Sequence, residues 1–258
     1  MAFIVAIANQ KGGVGKSTTT LNLGAALAAA GAPTLLVDLD PSAGLSRMLG
    51  IDPATLTETT YTLLLGLSAS PSLRQAPRDG ISVIPSNEHL VGAEKELPEK
   101  EPFNWHQSLR RALAPIASPF SVVLVDCPPG RGPLAMIGVA SADAVLVPLE
   151  THFIALDGLP VLDRLIAQVR QVNPNLQRLI VRTKYDARTR HDREVFTEVE
   201  KRFPGEVATA AIPNTVRFRD SNLAGESLLS FDPTHSGAQA YRALAEEIIE
   251  RWLRSAIG

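Results

Sequence analysis

Two lysines, three glycines and two hydroxyl side chains fall within eight consecutive positions, Lys11-Gly12-Gly13-Val14-Gly15-Lys16-Ser17-Thr18. That mixture suits one kind of chemistry, the holding of a phosphate chain. Glycines let the backbone turn its N–H groups inward around an anion. A helix that starts where such a loop ends adds unpaired amide donors and the positive end of its dipole. Lys16 supplies a point charge for β- and γ-phosphates, and the Ser17 hydroxyl suits Mg2+. The spacing departs from G-x-x-x-x-G-K-[ST] at one point. Gln10 stands where the first glycine belongs, and Lys11 opens the loop.

Two apolar runs end in carboxylates. Leu35-Leu36-Val37-Asp38 continues as Leu39-Asp40-Pro41, and Val122-Val123-Leu124-Val125-Asp126 continues as Cys127-Pro128-Pro129-Gly130-Arg131. Carboxylates at the C-terminal end of a parallel strand face the ligand crevice of such a sheet. Alternation along an extended chain puts Asp38 and Asp40 on one side. Asp126 has a Walker-B-like setting, a carboxylate fixed near a metal's water shell. Cys127 reads as a small buried apolar residue. The five histidines, at 89, 106, 152, 191 and 235, show no zinc-ligand spacing and read as surface or hydrogen-bonded groups.

These residues need a scaffold that brings strand ends together. Apolar runs alternate with helical patterns along the chain, which predicts an α/β fold: a doubly wound, mostly parallel sheet with helices on both faces. Strands are expected over 3–8, 34–38, 81–85, 121–126, 144–148, 179–183 and 207–210, and helices over 16–30, 104–117, 155–172, 190–203 and 236–255. Gly31 should end the first helix. The charged, proline-broken stretch 94–102 reads as an exposed loop. Phe103 and Trp105 beside it read as core anchors or, alternatively, a partner site. At 258 residues the chain suits a single domain over 1–258.

Bulk composition narrows the classes. With 45% apolar and 20% charged residues the chain is an ordinary globular one, and a net charge of −2 gives no global affinity for polyanions. No apolar run reaches 18 residues, so no membrane span is expected. A strand begins almost at once, leaving no room for a signal peptide. One cysteine excludes internal disulfides, which fits a cytoplasmic location.

The lysine-bracketed loop resembles the deviant Walker A motif of the ParA/MinD group of P-loop ATPases. The resemblance spreads over nearly the whole chain and is strongest over 4–41, 121–160 and 207–247. It implies that ATP and Mg2+ are bound by Lys11, Gly12, Gly13, Val14, Gly15, Lys16, Ser17 and Thr18. It also implies an ATP-bound homodimer in which Lys11 reaches the partner's nucleotide. Asp38 would help Ser17 and Asp126 hold the metal, and Asp40 would orient the attacking water. The family usually continues this switch I segment Asp-Pro-Gln-Gly-Asn, where this chain has Asp40-Pro41-Ser42-Ala43-Gly44. The segment beginning Thr183-Lys184-Tyr185-Asp186 resembles the place where the adenine pocket meets the DNA-binding face; methionine is common where Lys184 sits. Pro213 and Asn214 fall in a turn that the family uses near the base. The run from Phe231 to Tyr241 matches the family's C-terminal signature.

Charge placement favours a nucleic-acid partner. Residues 178–219 hold ten basic and six acidic side chains, a local excess of +4 in a chain of net charge −2. Arg188, Arg217 and Arg219 are the foremost candidates for DNA contact, followed by Lys184 and Arg190. No helix-turn-helix pattern precedes the phosphate loop, so binding to double-stranded DNA should be non-specific and directed at the backbone. The resemblance thus implies a partition ATPase that is nucleoid-associated in the cytoplasm and released by a ParB-like activator. Two alternatives stay open: a ParA-like ATPase positioning a protein cargo such as a carboxysome or chemoreceptor cluster, and a MinD-like membrane-associated ATPase. The tail 246–257 carries more glutamate than arginine, which suits packing onto the sheet better than anionic lipid.

Overall fold

The structure, a computed structural model, describes residues 2–67, 73–76, 79–150, 159–171, 173–186 and 188–254. Its strands are β1 (Phe3–Ile7), β2 (Thr34–Asp38), β3 (Arg74–Ala76), β4 (Ile81–Ile84), β5 (Val122–Asp126), β6 (Ala144–Glu150), β7 (Gln177–Tyr185) and β8 (Val207–Pro213). They form one sheet in the order β3-β4-β2-β5-β1-β6-β7-β8. Every pairing is parallel except β3 against β4. The chain winds outward from β1 in both directions. The ligand crevice of such a sheet lies at the carboxyl ends of the strands where the winding reverses.

The helices are α1 (Lys16–Ala29), α2 (Gly44–Met48), α3 (Thr60–Leu64), α4 (Leu90–Lys100), α5 (Ser108–Leu113), α6 (Pro133–Ala140), α7 (Leu159–Arg170), α8 (Arg190–Arg202), α9 (Arg217–Leu223), α10 (Leu228–Phe231) and α11 (Ser236–Ile248). Strand alternation sorts the core into two layers. Ile4, Ala6, Leu35, Val37, Val123 and Val125 pack with α4 to α8 on one face. Val5, Ile7, Leu36, Val122 and Leu124 pack with α1, α10 and α11 on the other. The central strands are continuous apolar runs because both faces are covered. Each fully buried Leu or Ile contributes about 1.5–3 kcal/mol by leaving water.

The seven expected strands are all present, with β6 and β7 longer than their apolar segments. Gly31 ends α1 as its position predicts. It takes φ 84°, its N–H donates to Ala28 O at 3.0 Å, and Ala32 N donates to Leu27 O at 3.0 Å. That pairing satisfies the last helical carbonyls. The helix expected over 104–117 is shorter, a 3-10 turn at Trp105–Gln107 leading into α5. Residues 155–158 and 172 of the helix expected over 155–172, His152, and residues 255–258 lie outside the described residues.

Two expectations are overturned, one over 94–102 and one at Phe103. The stretch 94–102 is not a loop, because most of it belongs to α4. Leu90, Ala93 and Leu97 form a buried stripe at helical spacing under the charged face. Pro98 sits in the last turn, where it removes one hydrogen bond without ending the helix. Beyond α4, Trp105 packs against the core as expected, whereas Phe103 is 88% exposed and anchors nothing. The tail follows the packing expectation. Trp252 and Leu253 are buried, and the Trp252 ring stacks on Phe3 at 5.9 Å. Among the described residues no helix is long and apolar enough to cross a membrane.

Candidate functional site

The strands β1, β2 and β5 end level with one another. Asp126 is in register with both Ile7 and Asp38. The glycine loop therefore leaves β1 beside two carboxylates. It is tied down at both ends. Lys11 N donates to Asn9 Oδ1 at 3.1 Å, Asn9 Nδ2 donates to Pro148 O at 2.8 Å, and Lys16 Nζ donates to Lys11 O at 3.1 Å. Thr183 Oγ1 donates to Val14 O at 2.9 Å, fastening β7 to the loop.

Helix α1 begins immediately after Gly15, which has φ 92°, a backbone region that favours glycine. No side chain caps this helix. Its first amides thus remain available as donors for an anion, with the helix dipole behind them. Lys16 is buried, which lowers its pKa, while the nearby charge of Asp126 acts in the opposite sense. Gly12 and Gly13 are exposed.

Asp38 is fully buried and well satisfied. Ser46 N and Ser46 Oγ donate to Asp38 Oδ2 at 2.9 and 2.7 Å, and Asp40 N donates to Asp38 Oδ1 at 3.2 Å. Asp126 is equally buried. Its Oδ1 accepts from Thr20 Oγ1 at 3.3 Å, but its Oδ2 has no hydrogen-bond partner among the described residues. Burial raises both carboxyl pKa values, and for Asp126 the charge of Asp38 adds to it. Two carboxylates held together in low dielectric cannot both ionise cheaply. A cation there would reverse that preference. The unpartnered Asp126 oxygen, the oxygen-only donor set and Ser17 at the head of α1 fit a hard divalent ion, which takes one or two carboxylates and completes its shell with phosphate and water. Asp40 is half-buried beside them, its Oδ1 accepting from Ser42 N at 2.8 Å. Cys127 is buried as expected, and burial pushes its thiol pKa up, so it is inert as a nucleophile.

A cavity of about 440 Å3 opens beside the loop. Of the sequence-derived binding residues, Gly15, Thr18, Thr183, Pro213 and Asn214 line it. Two of the DNA candidates, Lys184 and Arg219, line it too. The rest lie elsewhere. Arg188 is held by Asp186 at 2.7 Å and Arg190 by Glu194 at 2.6 Å. Arg217 is clamped between Asp220 and Asp232, at 3.2 and 3.1 Å, with its guanidinium 4.9 Å from the Phe231 ring centre.

Sequence reading alone missed several participants. Asn9 anchors the loop, Thr20 touches Asp126, and Ser46 holds Asp38. Thr20 carried a usable signal, being one turn beyond Lys16 on α1. Ser46 carried none, because only the folded chain brings it back over the end of β2. His235 takes the structural role expected, its Nδ1 accepting from Gly237 N at 2.9 Å at the head of α11.

Comparison with known proteins agrees with this geometry. A family model described as AAA domain matches residues 2–178. The chain is 41% identical over 255 residues to the chromosome partitioning protein ParA of Caulobacter vibrioides, covering 96% of this chain and 94% of that one. It is 35% identical to the sporulation initiation inhibitor protein Soj of Bacillus subtilis, covering 96% and 98%. Among solved structures, cobyrinic acid a,c-diamide synthase from Mycobacterium smegmatis, with bound ADP and magnesium, superposes with a TM-score of 0.84 at 36% identity, covering 98% and 96%. Relatives of this identity over nearly the full length, together with the loop geometry, show that the chain belongs to the ParA family of P-loop ATPases.

Proposed function

We propose that the chain is a partition-type switch whose ATP-bound homodimer grips DNA without sequence preference and lets go after hydrolysis. The observation that carries this reading is the loop between Lys11 and Lys16. It is pinned at both ends, feeds an uncapped helix and faces two buried carboxylates. Gly12, Gly13, Val14, Gly15, Lys16, Ser17 and Thr18 hold the phosphates, while Thr183, Pro213 and Asn214 enclose the base. Ser17, Asp38 and Asp126 hold Mg2+, as the magnesium in the M. smegmatis relative supports. Mg2+ supplies charge neutralisation at the β- and γ-phosphate oxygens. Lys11 extends to the partner subunit's nucleotide, and Asp40 orients the attacking water. The nucleotide state then sets how long the dimer lasts, a population shift in a two-state element.

In this reading the dimer's basic side faces DNA, and a ParB-like activator shortens its lifetime. The salt bridges of Arg188, Arg190 and Arg217 are compatible with it, since exposed ion pairs are weak and exchange readily for phosphate. One observation favours a second reading. Because Lys184, Arg188, Arg190 and Arg217 all have carboxylate partners, the matrix could equally be a protein surface, with the same ATP cycle positioning a protein cargo. The buried Trp252 and Leu253 give a MinD-like membrane helix no support.

The deciding experiment measures binding to a random-sequence duplex with ATP, with ADP and without nucleotide across a salt series. Binding with ATP alone, falling steeply with salt, supports the DNA-gripping switch. ATP dimers that ignore DNA in every state support the protein-matrix reading.

A further inference from the structure

The loop that leaves β5 carries a cation to which the phosphate site described above gives no role. Arg131 is exposed and closes the run Cys127-Pro128-Pro129-Gly130-Arg131 that follows Asp126. Two prolines stiffen the exit from the strand. Gly130 takes φ 96°, a backbone region that favours glycine. Gly130 N donates to Gln10 O at 3.0 Å. The loop is thereby held against the residue that precedes Lys11, and the Arg131 side chain starts from a fixed point.

The side chain follows the main chain. Arg131 Nε donates to Gln10 Oε1 at 3.4 Å, its one hydrogen bond among the described residues. That contact is long, and a better acceptor would displace it. A guanidinium only donates, so it faces the amide oxygen of Gln10 and leaves the amide nitrogen pointing elsewhere. Gln10 Nε2 is buried and has no hydrogen-bond partner among the described residues. Buried donors are normally paired, so this one marks a place for an acceptor that the chain itself does not supply.

Position decides which acceptor that is. Lys16 Nζ donates to Lys11 O at 3.1 Å, so only Lys11 separates the phosphate-binding ammonium from the Gln10–Arg131 pair. The cavity that encloses the base meets the loop at its other end, at Gly15 and Thr18. A nucleotide laid along the loop therefore brings its last phosphate, and not its base, toward Gln10. Placing a terminal phosphate there rests on the reading of the loop as a phosphate cradle. The planar fork of an arginine matches phosphate oxygens, and its charge is permanent. We propose that Arg131 contacts the γ-phosphate bound by its own subunit, with Gln10 as the positioning residue that aims it. ADP stops short of the pair, so the pair separates ATP from ADP. Helix α6 begins two residues later, at Pro133, and carries the difference into the fold.

The test is displacement of a fluorescent ADP analogue from the full chain in Mg2+, by unlabelled ADP and by a non-hydrolysable ATP analogue. Protein is kept at concentrations where sizing shows a monomer. Arg131→Met should weaken the ATP analogue by about tenfold and leave ADP within about twofold of wild type. The retained ADP affinity also shows that the variant is folded. Arg131→Lys should recover part of the loss, because it restores the charge without the fork. Equal shifts for the two nucleotides would assign Arg131 a merely structural part in the loop and overturn the inference. So would an ATP-analogue affinity unchanged in Arg131→Met. A loss that emerges only at concentrations where dimers form would move the contact to the partner subunit's nucleotide and overturn the own-subunit assignment. Failure of the ADP analogue to bind the wild-type chain would overturn the phosphate-cradle reading and this inference together.

Discussion

Lys16 Nζ donates to the main-chain oxygen of Lys11 at 3.1 Å, so the two lysines that bracket the glycine loop are joined through a backbone atom and not through both side chains. The link holds the loop closed whatever side chain occupies position 11. Lys11→Ala should therefore keep monomeric nucleotide binding and lose the ATP-dependent dimer. Losing a charge-assisted bond across the interface corresponds to at least a tenfold drop in dimer affinity, or roughly 1.5–3 kcal/mol. Sizing in ATP checks it, and a dimer of wild-type strength would exclude Lys11 from the interface.

Asp40 stands at the mouth of the site while Asp38 is sealed beneath it. The Asp40 main-chain N–H donates to the Asp38 side-chain Oδ1, so substituting the Asp40 side chain leaves that bond in place. Asp40→Ala should slow steady-state turnover by about a hundredfold, the usual scale for a positioned acid–base group. The ATP dimer should persist correspondingly longer. Phosphate release at the wild-type rate would remove Asp40 from the chemistry.

Legibility in the sequence tracked how local each cause was. The strand ends at Asp38 and Asp126 were legible because apolar runs and a terminal carboxylate are contiguous. Their register, Asp38 opposite Asp126, needs β5 to insert between β1 and β2, which no single run specifies. The 94–102 part of α4 reads as a loop because its charges are conspicuous and its stripe of Leu90, Ala93 and Leu97 is sparse. The glycine loop between β1 and α1 is legible because its glycines and lysines are contiguous. Ser46, which satisfies Asp38 from the far side of a loop, and Glu150, which meets Lys184 across a parallel pairing, were not, because each contact joins distant segments.

The buried carboxyl pair makes stability depend on pH and metal in a fixed direction. Burial raises Asp38 to about 6, against the Ser46 hydrogen bonds, and burial with the charge of Asp38 raises Asp126 to about 8. A carboxyl whose folded pKa lies above its unfolded value keeps its proton on folding. Its contribution is full below about pH 4 and is lost as pH rises through the folded values. Without metal, the melting temperature should fall between about pH 5 and pH 8, and Asp126→Asn should flatten that slope. Mg2+ with ADP prefers the ionised pair, so the thermal shift it produces should be larger at the upper end of this range. A metal-induced shift independent of pH would mean that these carboxylates do not titrate with binding.

Arg219 differs from the other basic candidates in its surroundings. It is exposed and lines the cavity mouth on α9, while Arg188 is paired with Asp186 and Arg217 with two aspartates. Each phosphate contact releases counterions and adds about 0.9 to the slope of log affinity against log salt. An arginine without a carboxylate partner contributes that full increment. One that must first leave a carboxylate contributes less net affinity, because part of the phosphate attraction replaces an existing one. At saturating ATP, Arg219→Ala should lower the salt slope by about one and weaken duplex binding uniformly across sequences. Arg188→Ala should weaken binding less, since Arg188 adds only the difference between a phosphate and its present Asp186 partner. Equal losses for the two variants would show that the ion pairs open freely in the complex, and an unchanged slope for Arg219→Ala would move the DNA face away from α9.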